Sequence, residues 1–240
     1  MKRRRTCPVP LRPGRRGPVS FDEPSRSPVT QPVAPGAQLL LGEGPSLRIG
    51  GIAAVLVLDG ELHLLTCGHL FTDDDTDVTC RDATGPIAVL RRSYLRTAAP
   101  LDAAVCQLTP EGKSLLGASI DAPTWLYGHC EPTPELRAFT ADFWPTHEPG
   151  SVPLSLTISA HAASNGVLFP AGPTDGFIEV GGGVIPGDSG SLLAVDSLYL
   201  ALCSGHVQGT WSYFTPFAAA LDRVCGEHEE VAIWHPDIGI

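Results

Sequence analysis

At 240 residues and 43% hydrophobic content, the chain can bury a substantial core, while 26 glycines and 23 prolines cut its apolar stretches into short runs. No run approaches the roughly 18 apolar residues of a helical membrane span. The formal net charge of −10 is unevenly spread: residues 1–36 hold eight of the sixteen Lys and Arg against only Asp22 and Glu23, which leaves eight basic and twenty-four acidic residues, a net of −16, on the remainder. So acidic a body argues against nucleic acid as the main partner.

Residues 1–36 contain eight prolines and no periodic apolar face, and read as a disordered basic arm. Met1-Lys2-Arg3-Arg4-Arg5 has the charge of an export signal, but Pro8, Pro10 and Pro13 replace the apolar segment such a signal needs, so the expected location is the cytoplasm. Gly50–Leu58 and Glu61–Thr66 are predicted strands joined at Asp59-Gly60, a hairpin turn pair. Val78–Cys80, Ile87–Leu90 and Ala103–Leu108 follow as strands, and the polar stretch Pro110–Ile120 reads as the link to a second half. That half offers strands at Thr124–Tyr127, Ala138–Phe143, Leu154–Ala160, Phe177–Val180, Ser191–Val195 and Tyr199–Ser204, and a short helix over Phe217–Val224. The expected units are therefore the arm (1–36), a first β-barrel (37–115), a second β-barrel with its closing helix (116–226), and a tail (227–240) that docks on the body or on a partner.

Three local patterns carry chemistry. Pro186-Gly187-Asp188-Ser189-Gly190-Ser191 sets a glycine-flanked serine before an apolar strand, where a sharp turn can aim consecutive backbone N–H groups at one point. Thr66-Cys67-Gly68-His69 ends an apolar strand in a small-residue turn, and Leu101-Asp102-Ala103-Ala104-Val105 opens another strand with an acid. Each has an ordinary structural reading: an Asp-containing turn, a turn histidine, a strand-end acid. Their order is that of a base, an orienting acid and a nucleophile.

Together these segments resemble the trypsin/chymotrypsin-like serine peptidases, in a short bacterial or phage-like form, over roughly residues 40–226. Thr-Cys-Gly-His is similar to that family's Thr-Ala-Ala-His, Leu-Asp-Ala-Ala-Val to its Asp-Ile-Ala-Leu, and Gly-Asp-Ser-Gly-Ser to its Gly-Asp-Ser-Gly-Gly. The resemblance implies an all-β fold of two packed antiparallel six-stranded β-barrels with a short C-terminal helix. It also implies a catalytic triad of His69, Asp102 and Ser189 between the barrels, an oxyanion hole from the N–H groups of Gly187 and Ser189, and no cofactor or metal. The expected substrate is a protein or peptide, with a dedicated target in defence, toxin activation or phage precursor processing, and a regulatory protein partner as a further option. The same residues also suit a catalytically silent binding or scaffold module of that fold.

Substrate selection follows from the same resemblance. Gly183 stands six residues before Ser189, where trypsins carry an acid, so an Arg or Lys preference is not expected. Leu202–Gly209 resembles the Gly-x-His-x-x-Gly segment of glutamyl endopeptidases and picornaviral main proteases; His206 and Gly209 would then favour Glu or Gln before the scissile bond. The competing reading makes His206 a strand-end polar residue beside a small apolar pocket. In zymogen-activated relatives the acid before the serine, here Asp188, pairs with a newly cut amine. Arg48-Ile49-Gly50-Gly51 mimics such a cut site only 20 residues before His69, and reads instead as the entry to the first strand. His63 is expected to face away from the core. Asp73, Asp74, Asp75 and Asp77 suggest a solvated loop rather than a calcium site. The seven cysteines are odd in number and lack paired-ligand spacing, and Leu70 replaces the half-cystine that often follows the histidine; buried thiols are expected at Cys106 and Cys203.

Overall fold

Short apolar runs ended by Gly, Asp or Pro fold into strands joined by tight turns, as seen in a computed structural model that describes residues 33–80, 83–97, 100–116, 125–146, 153–163, 168–169, 172–173, 176–207 and 211–237. The first half contains Gln38–Leu41 (β1), Arg48–Gly51 (β2), Ala54–Leu58 (β3), Glu61–Thr66 (β4), Asp77–Val78 (β5), Ala88–Ser93 (β6) and Ala104–Leu108 (β7). Asp59 and Gly60 both take positive φ, 50° and 81°, the geometry of a two-residue hairpin turn whose twist matches its strands. The expected strand over Gly50–Leu58 is two strands, broken at Ile52-Ala53. The chain turns there so that β2 pairs with β1 while β3 pairs with β4.

The second half contains Thr140–Phe143 (β8), Leu154–Ala163 (β9), the small hairpin Leu168–Phe169 (β10) and Gly172–Pro173 (β11), then Phe177–Gly181 (β12), Leu192–Val195 (β13), Leu198–Val207 (β14) and Trp211–Pro216 (β15). Six of these close into an antiparallel barrel in the order β12-β15-β14-β13-β8-β9. The Trp211–Pro216 strand was not anticipated. It sits between β12 and β14, so the barrel cannot close without it. A strand over Thr124–Tyr127 does not form in the described part, Trp125–Tyr127. Trp125 and Leu126 are buried, but β14 is already flanked by β13 and β15. Only its Tyr199 edge, before β15 pairing starts at Ala201, is left for a single bridge to His129.

Two helices complete the body. Pro110–Leu115 (α1), capped by Thr109 Oγ1 accepting the Gly112 N–H at 3.2 Å, lies within the expected link. Phe217–Cys225 (α2) matches the expected helix and buries Phe217, Ala218, Ala220 and Val224, with Phe217 stacked on Tyr199 at 4.8 Å. Phe217, Ala220 and Val224 join the cluster that also contains Val55, Leu64 and Val105 of the first half, so the helix ties the two halves together instead of capping the second alone. The second barrel keeps its own core, including Phe143, Ile158, Val180, Leu193 and Phe214. Each such buried side chain contributes about 1.5–3 kcal/mol relative to exposure.

Both presumed tails contribute to the body. Val33 is fully buried and donates its N–H to Leu115 O at 3.1 Å, so residues 33–36 pack with the first half; residues 1–32 lie outside the described residues. Val231–Ile233 (β16) pairs with β3, making the first sheet six-stranded in the order β16-β3-β4-β7-β6-β5. The segment after residue 226 therefore belongs to the first unit, and Trp234 packs edge-on against Trp125 at 4.8 Å. Among the described residues, no helix is long and apolar enough to cross a membrane.

Candidate active site

β4 ends at Thr66, and a 3₁₀ turn over Gly68–Leu70 swings His69 out of the sheet. Gly68 permits this because a side chain there would meet Ala103 O at 2.9 Å. Pairing of Thr66 with Ala104 places Asp102, at the foot of β7, beneath the turn. Its buried carboxylate accepts the His69 backbone N–H at 2.8 Å through Oδ1 and the Nδ1–H at 2.9 Å through Oδ2. From the second half, the turn before β13 carries Ser189, whose Oγ lies 2.9 Å from His69 Nε2. His69, Asp102 and Ser189 thus form one continuous hydrogen-bonded chain.

The serine turn is held by backbone. Gly187 and Gly190 take φ of +103° and +85°. A side chain at residue 190 would strike Thr66 Oγ1 and, at 2.5 Å, Gly51 O. Gly51 donates its N–H to Ser189 O at 2.7 Å and accepts Thr66 Oγ1–H at 2.7 Å. β2 therefore clamps the serine turn to the histidine strand, which explains two adjacent glycines at 50 and 51. Ile49 lies in that strand paired with Leu40, in line with its expected role as strand entry.

Asp188 is fully buried, and its carboxylate accepts the N–H of Thr146 at 3.1 Å and of Ile185 at 3.0 Å. Thr146 Oγ1 also donates to Gly187 O at 2.7 Å. Asp188 and Gly190 donate their own N–H groups to Ile185 O and Cys203 O, whereas those of Gly187 and Ser189 have no intramolecular acceptor among the described residues. Alternate N–H groups are thereby left for an incoming oxygen, as an oxyanion hole needs.

Burial pulls the His69 pKa down, but negative charge beside the ring outweighs it, and the pKa stands well above the ordinary imidazole value. Of the groups beside the ring, Cys67 and then Asp102 raise it most, and burial in turn pushes the Cys67 thiol up. Cys67 was not singled out by spacing, yet its Sγ lies 3.9 Å from His69 Nε2. Thr146 and Gly51 were also missed, since nothing in their local sequence marks the contact of Thr146 with Asp188, 42 residues away, or that of Gly51 with the far more distant serine turn.

The other expected site residues fall as follows. Gly183 is exposed with φ of +87°, and a side chain there would meet Leu156 Cδ2 at 2.5 Å. His206 lies on β14 opposite Ser212, and Gly209 is outside the described residues. Only the His-x-x-Gly half of the resembled segment is present, with Ser204 at the place of its first glycine. His63 is buried although it stays outside the apolar core cluster; His228, in the segment before β16, lies 6.4 Å from it, ring to ring. Within the acidic loop, Asp75 accepts Arg48 at 2.5 Å and the Thr72 hydroxyl at 2.6 Å. Six cysteines are described, and Cys106 and Cys203 are fully buried as expected.

No family model matches the sequence, and no curated protein is significantly similar to it. Solved structures are similar. A glutamic acid specific serine protease, which uses a histidine triad in substrate binding, matches at TM-score 0.61 and 15% identity, over 84% of this chain and 100% of its own. Thermobifida fusca protease A matches at 0.62 and 14%, over 85% and 98%. Cellulomonas bogoriensis chymotrypsin matches at 0.59 and 19%, over 84% and 98%. At such identities the likeness is one of architecture, and with the two six-stranded sheets it establishes that this chain has the chymotrypsin-type fold of serine proteases.

Proposed function

We propose that the protein is a serine endopeptidase acting through an acyl-enzyme. The carrying observation is the Asp102–His69–Ser189 chain, with 2.9 Å at each side-chain link. His69 Nε2 accepts the Ser189 hydroxyl proton as Oγ attacks the peptide carbonyl, and then returns it to the leaving amine. Asp102 keeps the proton on Nδ1 and stabilises the imidazolium. The Gly187 and Ser189 N–H groups receive the developing oxyanion, and water then releases the acyl group by the same steps. Loss of one such donor typically costs about 3 kcal/mol of barrier.

The proposal extends to a preference for Glu or Gln before the scissile bond. Gly183 supplies no acid for a basic side chain, and an imidazole at residue 206 suits a carboxylate or amide oxygen. Peptide-library profiling tests this; predominant cutting after Arg, Leu or Phe removes it. It extends also to a dedicated protein target inside the cell, tested by proteomics of cut sites in cells expressing the protein or its Ser189→Ala variant. Labelling by a fluorophosphonate probe tests the reaction class. Labelling that disappears in Ser189→Ala supports it, and an unlabelled, folded protein would point to a scaffold.

A further inference from the structure

We propose that Cys67 Sγ and His69 Nε2, with Ser189 Oγ as a third donor, bind one thiophilic divalent cation of the Zn²⁺ or Cd²⁺ type, which reversibly blocks the candidate centre. The inhibitory consequence rests on the peptidase reading; the binding does not.

The donors are already gathered. Cys67 Sγ is 3.9 Å and Ser189 Oγ 2.9 Å from His69 Nε2, and the donor atoms of Cys67, His69 and Asp102 lie within 4.8 Å of one another. Metal–sulfur and metal–nitrogen bonds of about 2.3 and 2.0–2.1 Å together exceed the sulfur–nitrogen gap. One ion can therefore touch both atoms, at an angle of roughly 125–130°, wider than tetrahedral. Asp102 does not ligate this ion, since it faces Nδ1 at 2.9 Å. It fixes the proton there and turns the Nε2 lone pair outward, as carboxylates behind metal-bound histidines do. A sulfur–imidazole pair selects zinc-like ions over Mg²⁺ or Ca²⁺.

The direction of entry also follows. Cys67 is fully buried, whereas the His69 side chain retains 22% exposure and Ser189 is half-buried, so the ion enters from the side of His69 and Ser189. As the metal–sulfur bond forms, the thiol proton passes to solvent and the ion stays divalent. The Nε2 lone pair that would receive the serine proton is then occupied. Cys-x-His is too short a spacing to register as a ligand pair in sequence; the 3₁₀ turn at Gly68–Leu70 is what folds the sulfur back toward the ring.

The test is a Cd²⁺ titration of the full chain carrying Cys7→Ser and Cys225→Ser, which removes Cys7 and the one exposed thiol among the described residues, following the ultraviolet thiolate-to-metal charge-transfer band. A band saturating at one equivalent, reversed by chelator and absent in added Cys67→Ala and Cys67→Ser variants of unchanged melting behaviour, supports the site. Zn²⁺ inhibition, read against each variant's own metal-free rate, should weaken in Cys67→Ala by at least the roughly 10–100-fold that loss of an outer-shell partner costs a metal site. No band, a band that survives Cys67→Ala, or equal inhibition of both proteins overturns the proposal. A protein that hydrolyses nothing yet shows the Cys67-dependent band refutes the peptidase reading and leaves the site standing.

Discussion

Asp102 grips His69 at two points, its Oδ1 taking the backbone N–H at 2.8 Å and its Oδ2 the Nδ1–H at 2.9 Å. The backbone contact fixes where the turn sits; the ring contact fixes which nitrogen carries the proton. Asp102→Asn preserves the first and corrupts the second, because an amide nitrogen facing the ring favours the tautomer with Nε2 protonated. Measured on a peptide substrate, kcat should fall by roughly 10⁴-fold with little change in melting temperature. A loss below tenfold would mean that tautomer control is not what Asp102 does.

The raised His69 pKa predicts the pH profile. A general base must be unprotonated, so kcat/KM should rise with pH, its acid limb lying alkaline of the ordinary imidazole value of about 6.5. Asp102→Asn, by removing one charge and one hydrogen bond that oppose burial, should move the limb acidward. Stability runs the other way. A folded-state pKa above the unfolded one stabilises fully below the unfolded value, and the contribution is lost as pH rises through the folded value. Activity should therefore appear as this increment of stability fades, which parallel rate and melting series across the same pH steps would reveal.

Asp188 is satisfied by the N–H groups of Thr146 and Ile185, so the serine turn is held without a newly cut amine. N-terminal sequencing of active protein should find no new terminus at Ile49. Thr146→Val removes the hydroxyl that holds Gly187 O at 2.7 Å, next to the proposed oxyanion donors. One hydrogen bond of about 1 kcal/mol, expressed in the transition state, corresponds to a several-fold fall in kcat. KM should hold. A change in KM alone would place Thr146 in substrate binding.

What the sequence reveals here depends on how local each constraint is. The meeting of His69 and Ser189 was legible because each sits in a stretch whose backbone geometry demands small residues: Gly68 beside Ala103 O, Gly187 and Gly190 at positive φ. Such demands are written within five or six residues. The Asp59-Gly60 hairpin was legible for the same reason. By contrast, β15 hides behind Pro216 and a mixed run of aromatic and hydroxyl residues, and its role appears only once β12 and β14 leave a gap between them. The Asp188–Thr146 contact and the approach of Cys67 to His69 Nε2 leave no local trace either, since they arise from pairing between distant strands and from the pitch of one turn.

The C-terminal strand shows how far such pairing reaches. Asp59, in the first hairpin turn, accepts the N–H groups of Glu229 and Glu230 at 3.0 Å each and meets His228 Nδ1 at 2.8 Å, about 170 residues along the chain. That clasp aligns Val231–Ile233 on β3 and seats Trp234 against Trp125. Trp234 is half-buried, so Trp234→Ala should cost about 2 kcal/mol, below the 3–5 kcal/mol of a fully buried aromatic. For a chain of this size that lowers the melting temperature by about 4–8 °C. Asp59→Ala should lower it too, by loosening the same strand. Because the clasp is remote from Ser189, kcat/KM well below the melting temperature should stay near that of the parent protein. Thermal melts run beside rate measurements separate the two effects, and a variant that loses activity while its melting temperature holds would show that β16 also positions the serine turn.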